Sequence, residues 1–186
     1  TVDRLDYSND TGTTPTKGPL TLARYAFAAT GNSSFGYFGG GRTDDHYPGP
    51  VNEKSTVDRI DYSNDTATAS PKGPLSVAKI DVAATGNASF GYFGGGTDSS
   101  PSVVSTIERI DYSNDTDTAS PKGPLNNTET YMAATGNASF GYFGGGSPGP
   151  TSSPAAVSNV DRVDYSNDTA TASPKGPLGN SRWGMK

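Results

Sequence analysis

The sequence Thr-Val-Asp-Arg-Ile-Asp-Tyr-Ser-Asn-Asp-Thr at residues 56–66 decides the fold, because this stretch or a close variant occurs four times. The copies begin at residues 1, 56, 106 and 159, and a second block, Phe-Gly-Tyr-Phe-Gly-Gly-Gly, begins at Phe35, Phe90 and Phe140. Self-similarity at a period of about 50 residues is the signature of a repeat architecture. The chain is therefore predicted to be one repeat domain, 1–186. Its predicted units are 1–55, 56–105, 106–158 and an incomplete 159–186.

Length varies in one segment of the unit. Residues 1–41, 56–96 and 106–146 are bodies of equal length, whereas the segments that follow them, 42–55, 97–105 and 147–158, differ in length. Substitutions also concentrate in the segments 21–27, 76–82 and 126–132. A rigid scaffold with variable segments is the usual design of a binding module, so we expect the function to lie there. The candidate binding residues in the loops are Asp44, Asp45, His46, Tyr47, Asp98 and Ser99.

Short runs of β-branched and aromatic residues alternate with turn residues, and no apolar period of 3.6 residues is long enough for a helix. The pattern predicts four strands per unit, at 24–30, 35–39, 56–61 and 66–70, with the run Pro-Lys-Gly-Pro at 71–74 ending the sheet. Four short antiparallel strands in about 50 residues are typical of a β-propeller blade.

The unit resembles the kelch repeat family. Thr56-Val57-Asp58-Arg59-Ile60-Asp61, a turn and Thr66 are similar to the family's Thr-Val-Glu-Arg-Tyr-Asp, turn, Thr-Trp segment. Tyr92-Phe93-Gly94-Gly95 is similar to the family's apolar strand that ends in a double glycine. The resemblance implies an all-β chain of kelch-like propeller blades, about three and a half of them. The family's Trp and Tyr positions are not aromatic here, which implies less aromatic packing between blades; they hold Gly12, Ala67, Asp117 and Ala170, and Leu5, Ile60, Ile110 and Val163.

A second resemblance concerns the stretch Asp-Tyr-Ser-Asn-Asp-Thr-x-Thr-Ala-Ser-Pro-Lys-Gly-Pro-Leu, which is similar to repeats of virion structural proteins of marine, cyanophage-like bacteriophages. It implies a non-enzymatic structural and display module of a virion appendage, a tail or capsid fibre, that attaches to a host surface. The implied partners are other virion proteins or further copies of this chain, with a host-surface glycan or protein as the target. The alternative is an extracellular or cell-surface adhesion protein that binds glycans.

Three and a half blades do not close a ring, whose usual count is about 4 to 8. Exposed edge strands favour association. We therefore expect this sequence to be part of a longer chain with a larger ring, or to close by pairing with another copy. The absence of an initiator Met also fits an excised or mature segment.

Composition excludes several classes of function. The net charge is −5, and no basic block is present to neutralise a phosphate backbone, so nucleic acid is not expected as a partner. No run of about 18 apolar residues predicts a membrane span. The chain has no Cys and one His, whereas copper oxidases and other propeller enzymes need several such ligands or clustered acids, so we expect neither catalysis nor a cofactor.

Two clusters of polar residues recur in every unit. Asp61, Asn64 and Asp65 bunch oxygen atoms at a turn, where a Ca²⁺ site is conceivable, but the same residues are ordinary in β-turns. Arg59, with its counterparts Arg109 and Arg162, is flanked by carboxylates and is expected to form an ion pair between blades, since a buried charge must be paired.

Two further features have structural explanations. Gly94 and Gly95 are expected to let the strand exit the sheet and not to bind phosphate, since the segment lacks a Gly-Lys-Ser/Thr ending. Asn-x-Ser/Thr sequons fall in the turns, and the sequence leaves open whether they carry glycans. They lie at Asn9, Asn32, Asn64, Asn87, Asn114, Asn126, Asn137 and Asn167.

Overall fold

The computed structural model describes residues 2–9, 11–43, 52–100, 102–149 and 155–184. This part of the chain is all-β, as predicted, and is built from several small antiparallel sheets. In chain order the strands are β1 (Val2–Asp3), β2 (Thr16–Lys17), β3 (Ala28–Gly31), β4 (Phe35–Gly39), β5 (Val57–Asp61), β6 (Ser70–Lys72), β7 (Lys79–Ile80), β8 (Ala83–Gly86), β9 (Phe90–Gly94), β10 (Thr97–Asp98), β11 (Ile107–Asp111), β12 (Ser120–Lys122), β13 (Ala133–Gly136), β14 (Phe140–Gly144), β15 (Val160–Asp164) and β16 (Ser173–Pro174). Single 3₁₀ turns cover Tyr62–Asn64 and Tyr165–Asn167.

Three sheets have four strands each. The first sheet has the order β3-β4-β5-β6, the second β8-β9-β11-β12 and the third β13-β14-β15-β16. Each sheet takes two strands from one sequence unit and two from the next. Strand β3 contacts β8, and β8 contacts β13, so the first strands of the three sheets lie side by side. The described strands do not close into a barrel or ring.

Two strand predictions need correction. The strand predicted at 24–30 begins only at Ala28, because Ala26 has a positive φ of 59° that interrupts extended backbone. The strand predicted at 66–70 is instead Ser70–Lys72, and Pro71 lies within it opposite Asp58. Proline is tolerated there because β6 is an edge strand, whose outer side needs no N–H donor. The strand predicted at 35–39 is confirmed with those bounds.

An asparagine after each first strand makes the turn into the second. The Asn32 side-chain oxygen accepts hydrogen bonds from the backbone N–H groups of Ser34 and Phe35, at 2.9 and 3.0 Å. Asn87 and Asn137 accept the same pair of bonds in the second and third sheets. These Asx turns fix the register of the β3–β4, β8–β9 and β13–β14 hairpins.

The apolar cores lie between successive sheets. Each core contains a pair of stacked tyrosine rings, Tyr37 with Tyr112 and Tyr92 with Tyr165, whose centroids are 4.6 Å apart in both cases. The core between the first and second sheets contains Tyr37, Val57, Leu75, Val82, Phe93, Ile110 and Ala119. The core between the second and third sheets contains Ala83, Tyr92, Ile107, Leu125, Met132, Phe143, Val163, Tyr165 and Ala172.

In the first and second sheets, a glycine in the second strand makes room for an aromatic ring of the next sheet. A Cβ built on Gly94 would lie 2.7 Å from the ring of Phe143, and one on Gly39 would lie 2.7 Å from the ring of Phe93. Gly94 therefore has a packing role, since any side chain there would displace a buried ring.

A carboxylate from one sheet also binds three groups of the preceding sheet. Asp115 follows β11 in the second sheet, and its oxygens lie 2.7 Å from the Arg59 Nη1 and 3.2 Å from the Lys72 Nζ of the first sheet. The Tyr37 hydroxyl donates to the same carboxylate at 2.9 Å. We call this arrangement the aspartate junction.

The aspartate junction recurs along the chain. Asp168 of the third sheet binds Arg109, Lys122 and Tyr92 of the second sheet, at 2.7, 3.4 and 3.0 Å. At the other end, Asp65 forms ion pairs with Arg4 and Lys17 of the β1–β2 hairpin. These junctions give Arg59 and Arg109 partners in a neighbouring sheet, but the partner comes from a turn and not from the carboxylates that flank each arginine in sequence.

The junction also explains the titration of its members. Burial tends to raise the pKa of Asp115, but the hydrogen bonds from Tyr37 and Lys72 and the charge of Arg59 outweigh it, so the pKa lies below its ordinary value. Burial, followed by the hydrogen bond to Asp115, raises the pKa of Tyr37. The carboxylate is thus ionised and the phenol neutral, as the hydrogen bond between them requires.

A glycine beside each junction lets two backbones meet. The Gly73 N–H donates to the Asp115 carbonyl at 2.9 Å, and a Cβ built on Gly73 would lie 1.8 Å from the Asp117 carbonyl oxygen. The same clash arises at Gly18 with Ala67 and at Gly123 with Ala170. No side chain fits at these positions unless the sheets separate.

We expect Gly73→Ala to lower the free energy of unfolding by about 3 kcal/mol, because its methyl group meets backbone that cannot move aside. Denaturant unfolding followed by circular dichroism measures this change. Gly179→Ala is the matched control, since a Cβ at Gly179 meets no atom within 4 Å. Equal stability of the two variants would contradict the assigned contact.

Candidate binding face

The two variable regions of the sequence pair with each other in space. Strand β10 of the loop after the second sheet's triple glycine pairs with β7, so that Thr97 is opposite Ile80 and Asp98 is opposite Lys79. Equivalent bridges join Tyr25 to Arg42 and Thr130 to Ser147, and a further bridge joins Val157 to Arg182. We call this surface the binding face; it consists of residues 21–27, 76–82, 126–132 and 179–184 with the described parts of the loops 42–55, 97–105 and 147–158. Sequence alone did not show that the two regions are neighbours.

The predicted loop residues have different outcomes. Asp44, Asp45, His46 and Tyr47 lie outside the described residues. The Asp98 carboxylate accepts hydrogen bonds from the Ser100 hydroxyl and from the backbone N–H groups of Ser100 and Ser102, at 2.6, 3.0 and 3.2 Å. These bonds, the Ser100 hydroxyl first, lower the pKa of Asp98. Asp98 therefore shapes the loop, and Ser99 is exposed at its tip.

Large apolar side chains are exposed on the binding face. Tyr25 is 43% exposed and Trp183 is 49% exposed, and the two occupy the same position in their units. The Arg42 guanidinium lies 5.6 Å from the centroid of the Tyr25 ring, and the Tyr131 and Trp183 rings are 5.7 Å apart. Exposed aromatic groups of this kind offer flat contact surfaces to a ligand.

A backbone residue with positive φ anchors each variable segment. Ala26, Asp81 and Tyr131 have φ of 59°, 54° and 58°, a region that costs a non-glycine residue about 1–2 kcal/mol. The equivalent residue in the fourth unit is Gly184, with φ of 70°. Their backbones form a chain of hydrogen bonds from unit to unit: Asp81 N–H to Ala26 carbonyl, Tyr131 N–H to Asp81 carbonyl, and Gly184 N–H to Tyr131 carbonyl. The unusual conformation thus aligns successive units.

The triple glycines connect the sheets to the same face. Gly95 and Gly96 have φ of +63° and +94°, and the Gly96 N–H donates to the Glu129 carbonyl of the next unit at 2.9 Å. A Cβ on Gly95 would lie 2.4 Å from the same carbonyl oxygen. The glycines allow a tight exit from the strand, and among the described residues that follow them there is no helix whose N-terminus could receive a phosphate.

The predicted calcium candidates are occupied by other groups. Asp61 accepts hydrogen bonds from the Ser63 N–H and hydroxyl, Asp65 binds Arg4 and Lys17, and the Asn64 side chain accepts from Thr66. Each of these three side chains thus has its own partners, and the three do not converge on one point where a metal ion could bind. Among the described residues no group of three or more His, Cys, Asp or Glu side chains is arranged to hold a metal ion.

Buried ion pairs join the binding face to the sheets. In the first sheet Arg24 pairs with Asp58 at 2.6 Å, and both side chains are 0% exposed. In the second sheet Lys79 pairs with Glu108 at 2.8 Å, and Lys79 also donates to the Thr106 hydroxyl. Such pairs are tolerated in a core only because each charge has its partner.

The third sheet breaks this rule. Its residues at the two charged positions are Glu129 and Asp161, both buried and both acidic. The Asn159 amide, at the position of Thr106, donates to Glu129 at 2.6 Å, and the backbone N–H of Asn126 donates to Asp161 at 2.8 Å. Burial raises the pKa of both carboxyls, and the charge of Asp161 raises the pKa of Glu129 further.

This pair was missed by sequence reasoning, although a signal exists in the alignment of the units. The residue series Arg24, Lys79, Glu129 reverses its charge in the third unit, and the Thr106 position holds Asn159 in the fourth unit, which supplies the other half of the same sheet. The acid that each member of the series faces can be identified only from the folded structure, because that acid lies about 30 residues further along the chain.

The described residues contain no helix with the length and hydrophobicity needed to cross a bilayer. A scan against protein-family models found no matching family, and a search of curated proteins found no significant match.

We expect stability to fall as pH rises above the ordinary carboxyl range, because Glu129 and Asp161 have raised pKa values in the folded state only and the native state therefore binds more protons there. The double variant Glu129→Lys/Asn159→Thr gives the third sheet the Lys and Thr of the second sheet, with Asp161 in the place of Glu108. Its thermal midpoint should exceed that of the unmodified chain at about pH 8, and the difference should shrink toward about pH 4. Differential scanning calorimetry at several pH values measures both.

The reciprocal variant Lys79→Glu is the control. It places two carboxylates in the second sheet and leaves Glu108 without its cation, a change that costs about 3–5 kcal/mol. If Glu129→Lys/Asn159→Thr lowered the midpoint at high pH, the two acids would not be the destabilising element.

Proposed function

We propose that the chain is a non-enzymatic structural and display module of a virion appendage, a tail or capsid fibre, that attaches to a host surface. The observation that carries the proposal is that the variable loops and the variable segments 21–27, 76–82 and 126–132 are hydrogen-bonded to each other on one face, while the sheets beneath repeat almost unchanged. A surface that varies on a constant scaffold is where recognition is expected.

We further propose that the three sheets are kelch-like propeller blades. Their four-stranded antiparallel order and the side-by-side placement of β3, β8 and β13 support this. A groove of about 250 Å³ between these strands corresponds to the central channel of a propeller. It is lined by Phe27, Ala28, Ala29, Val82, Ala83, Ala84, Met132, Ala133 and Ala134.

The non-enzymatic part of the proposal rests on how the polar groups are used. Asp115, Arg59 and Tyr37 bind one another between sheets, and Asp61 and Asp98 accept hydrogen bonds from their own turns. Polar groups that recur from unit to unit with the same partners have a structural role, and this role explains their presence without catalysis.

The location in a virion rests on the likeness of the repeat to virion structural proteins, and its partners there would be other virion proteins or copies of this chain. A second candidate function is glycan binding by an extracellular or cell-surface adhesion protein. The exposed aromatic rings of Tyr25 and Trp183 favour it, because flat apolar faces with a polar tip suit the faces of sugar rings.

The peptide 60–72, released by trypsin after Arg59 and Lys72, separates the two locations. In a density gradient of source material we expect it, unmodified at Asn64, to sediment with virus particles when followed by mass spectrometry. Recovery only in the cell-envelope fraction, or only with an added glycan mass at Asn64, would contradict the virion location and support a cell-surface glycoprotein instead.

Attachment is tested with the labelled chain on host cells. We expect Ser99→Ala and Trp183→Ala to reduce binding several-fold without changing the thermal midpoint, since both side chains are exposed on the binding face. Asp117→Ala is the matched control: this position is exposed in a turn outside the face, and two of the other units have Ala67 and Ala170 there. Binding unaffected by either face variant would remove the attachment role.

A further inference from the structure

The outer face of the third sheet repeats the receiving half of the aspartate junction. Tyr142, Arg162 and Lys175 occupy the positions of Tyr37, Arg59 and Lys72 in the first sheet. The Arg162 guanidinium lies 4.4 Å from the Phe140 ring, as Arg59 lies 4.2 Å from Phe35. The Arg162 guanidinium is therefore already placed against its ring as in the occupied junctions.

This third receiving site is vacant within the described part of the chain. No carboxylate there forms an ion pair with Arg162 or Lys175, whereas Asp115 and Asp168 fill the first two sites. Gly176, at the position of Gly73, has no atom within 4 Å of a built Cβ. An apolar pocket of about 240 Å³, lined in part by Tyr142, Gly144 and Leu178, continues the same face.

The opposite end of the chain carries the group that fills such a site. The turn after β1 has the sequence Tyr-Ser-Asn-Asp, identical to the turns that fill the first and second sites. Its Tyr7 is 91% exposed, although the equivalent Tyr112 and Tyr165 are stacked on the preceding sheet. Leu5, at the position of the buried Ile110, is 46% exposed.

A second charged pair matches across the same two ends. Arg182 aligns with Arg24 and Lys79, and Asp3 aligns with their partners Asp58 and Glu108. Arg182 and Asp3 are both exposed. The two ends thus have complementary charge at the position where the first and second sheets have a buried ion pair.

We propose that the exposed face of the third sheet, with Leu178 and Arg182, binds the β1–β2 hairpin of a second copy of this chain. Tyr7 of one copy stacks on Tyr142 of the other, and Asp3 pairs with Arg182. The two surfaces differ, so the contact is heterologous and each copy can bind two others. The proposal concerns self-association and does not rest on the attachment function.

Sedimentation velocity of the purified chain over a concentration series tests it. We expect concentration-dependent association, which Gly176→Ala should weaken by tenfold or more because the methyl group clashes with the incoming backbone, as at Gly73. Gly179→Ala, three residues away and equally open, should associate like the unmodified chain. Circular dichroism at low concentration should show the same fold for both variants.

A charge exchange identifies the partner surfaces. Asp3→Arg and Arg182→Asp should each weaken association by placing like charges together, and the double variant Asp3→Arg/Arg182→Asp should restore it. Monomers at all concentrations for the unmodified chain, or equal association of Gly176→Ala and Gly179→Ala, would overturn the proposal. Failure of the double variant to recover would overturn the assigned pairing of Asp3 with Arg182.

Discussion

The arrangement of the sheets depends on one carboxylate per unit that reaches out of its own sheet. The strands have two to five residues each, and sheets this short are not stable alone. Asp115 and Asp168 each join two cations and a tyrosine hydroxyl of the preceding sheet, and each is 7% exposed. A buried carboxylate with three donors is satisfied in the native state only, so the junction specifies how one sheet docks on the next. The stacked tyrosines and the glycine contact beside it can form only in that arrangement.

The same constraint explains why the units repeat polar residues almost without change. In the turn Asp-Tyr-Ser-Asn-Asp the first aspartate caps its own 3₁₀ turn, the tyrosine stacks on the preceding sheet and the last aspartate fills the junction. Substituting any one of them would disturb a local turn and a contact between sheets together. The variable segments and the loops meet this double requirement less often, because they are joined to each other by backbone bridges such as Thr130 with Ser147, which many side chains satisfy.

Sequence periodicity predicted the all-β class, the strand Phe35–Gly39 and the turns at Asn32 and Tyr62, because these depend on local residue types. It placed the strand at Ser70–Lys72 too early, since proline reads as a breaker unless the strand is known to be at an edge. It predicted an ion pair between blades for Arg59 but did not identify the partner, Asp115, which is 56 residues away. The pairing of the variable segments and the acidic pair of the third sheet also depend on contacts between units. The sequence of a single unit does not show which residues of the neighbouring unit it will contact.

The acidic pair shows how far one interior position can vary when the scaffold around it does not. Arg24 and Lys79 neutralise the acid of their sheets, and Glu129 occupies the same place only with the help of the Asn159 amide and a raised pKa. An uncompensated second negative charge in a buried site would be far more costly than an exposed one, so a proton or a donor must accompany it. The junction at Asp168 and the tyrosine stack hold the third sheet in place while that interior position changes. The residues that dock one sheet on the next are therefore distinct from the residues that differ among units. This separation allows the same repeat to present different surfaces.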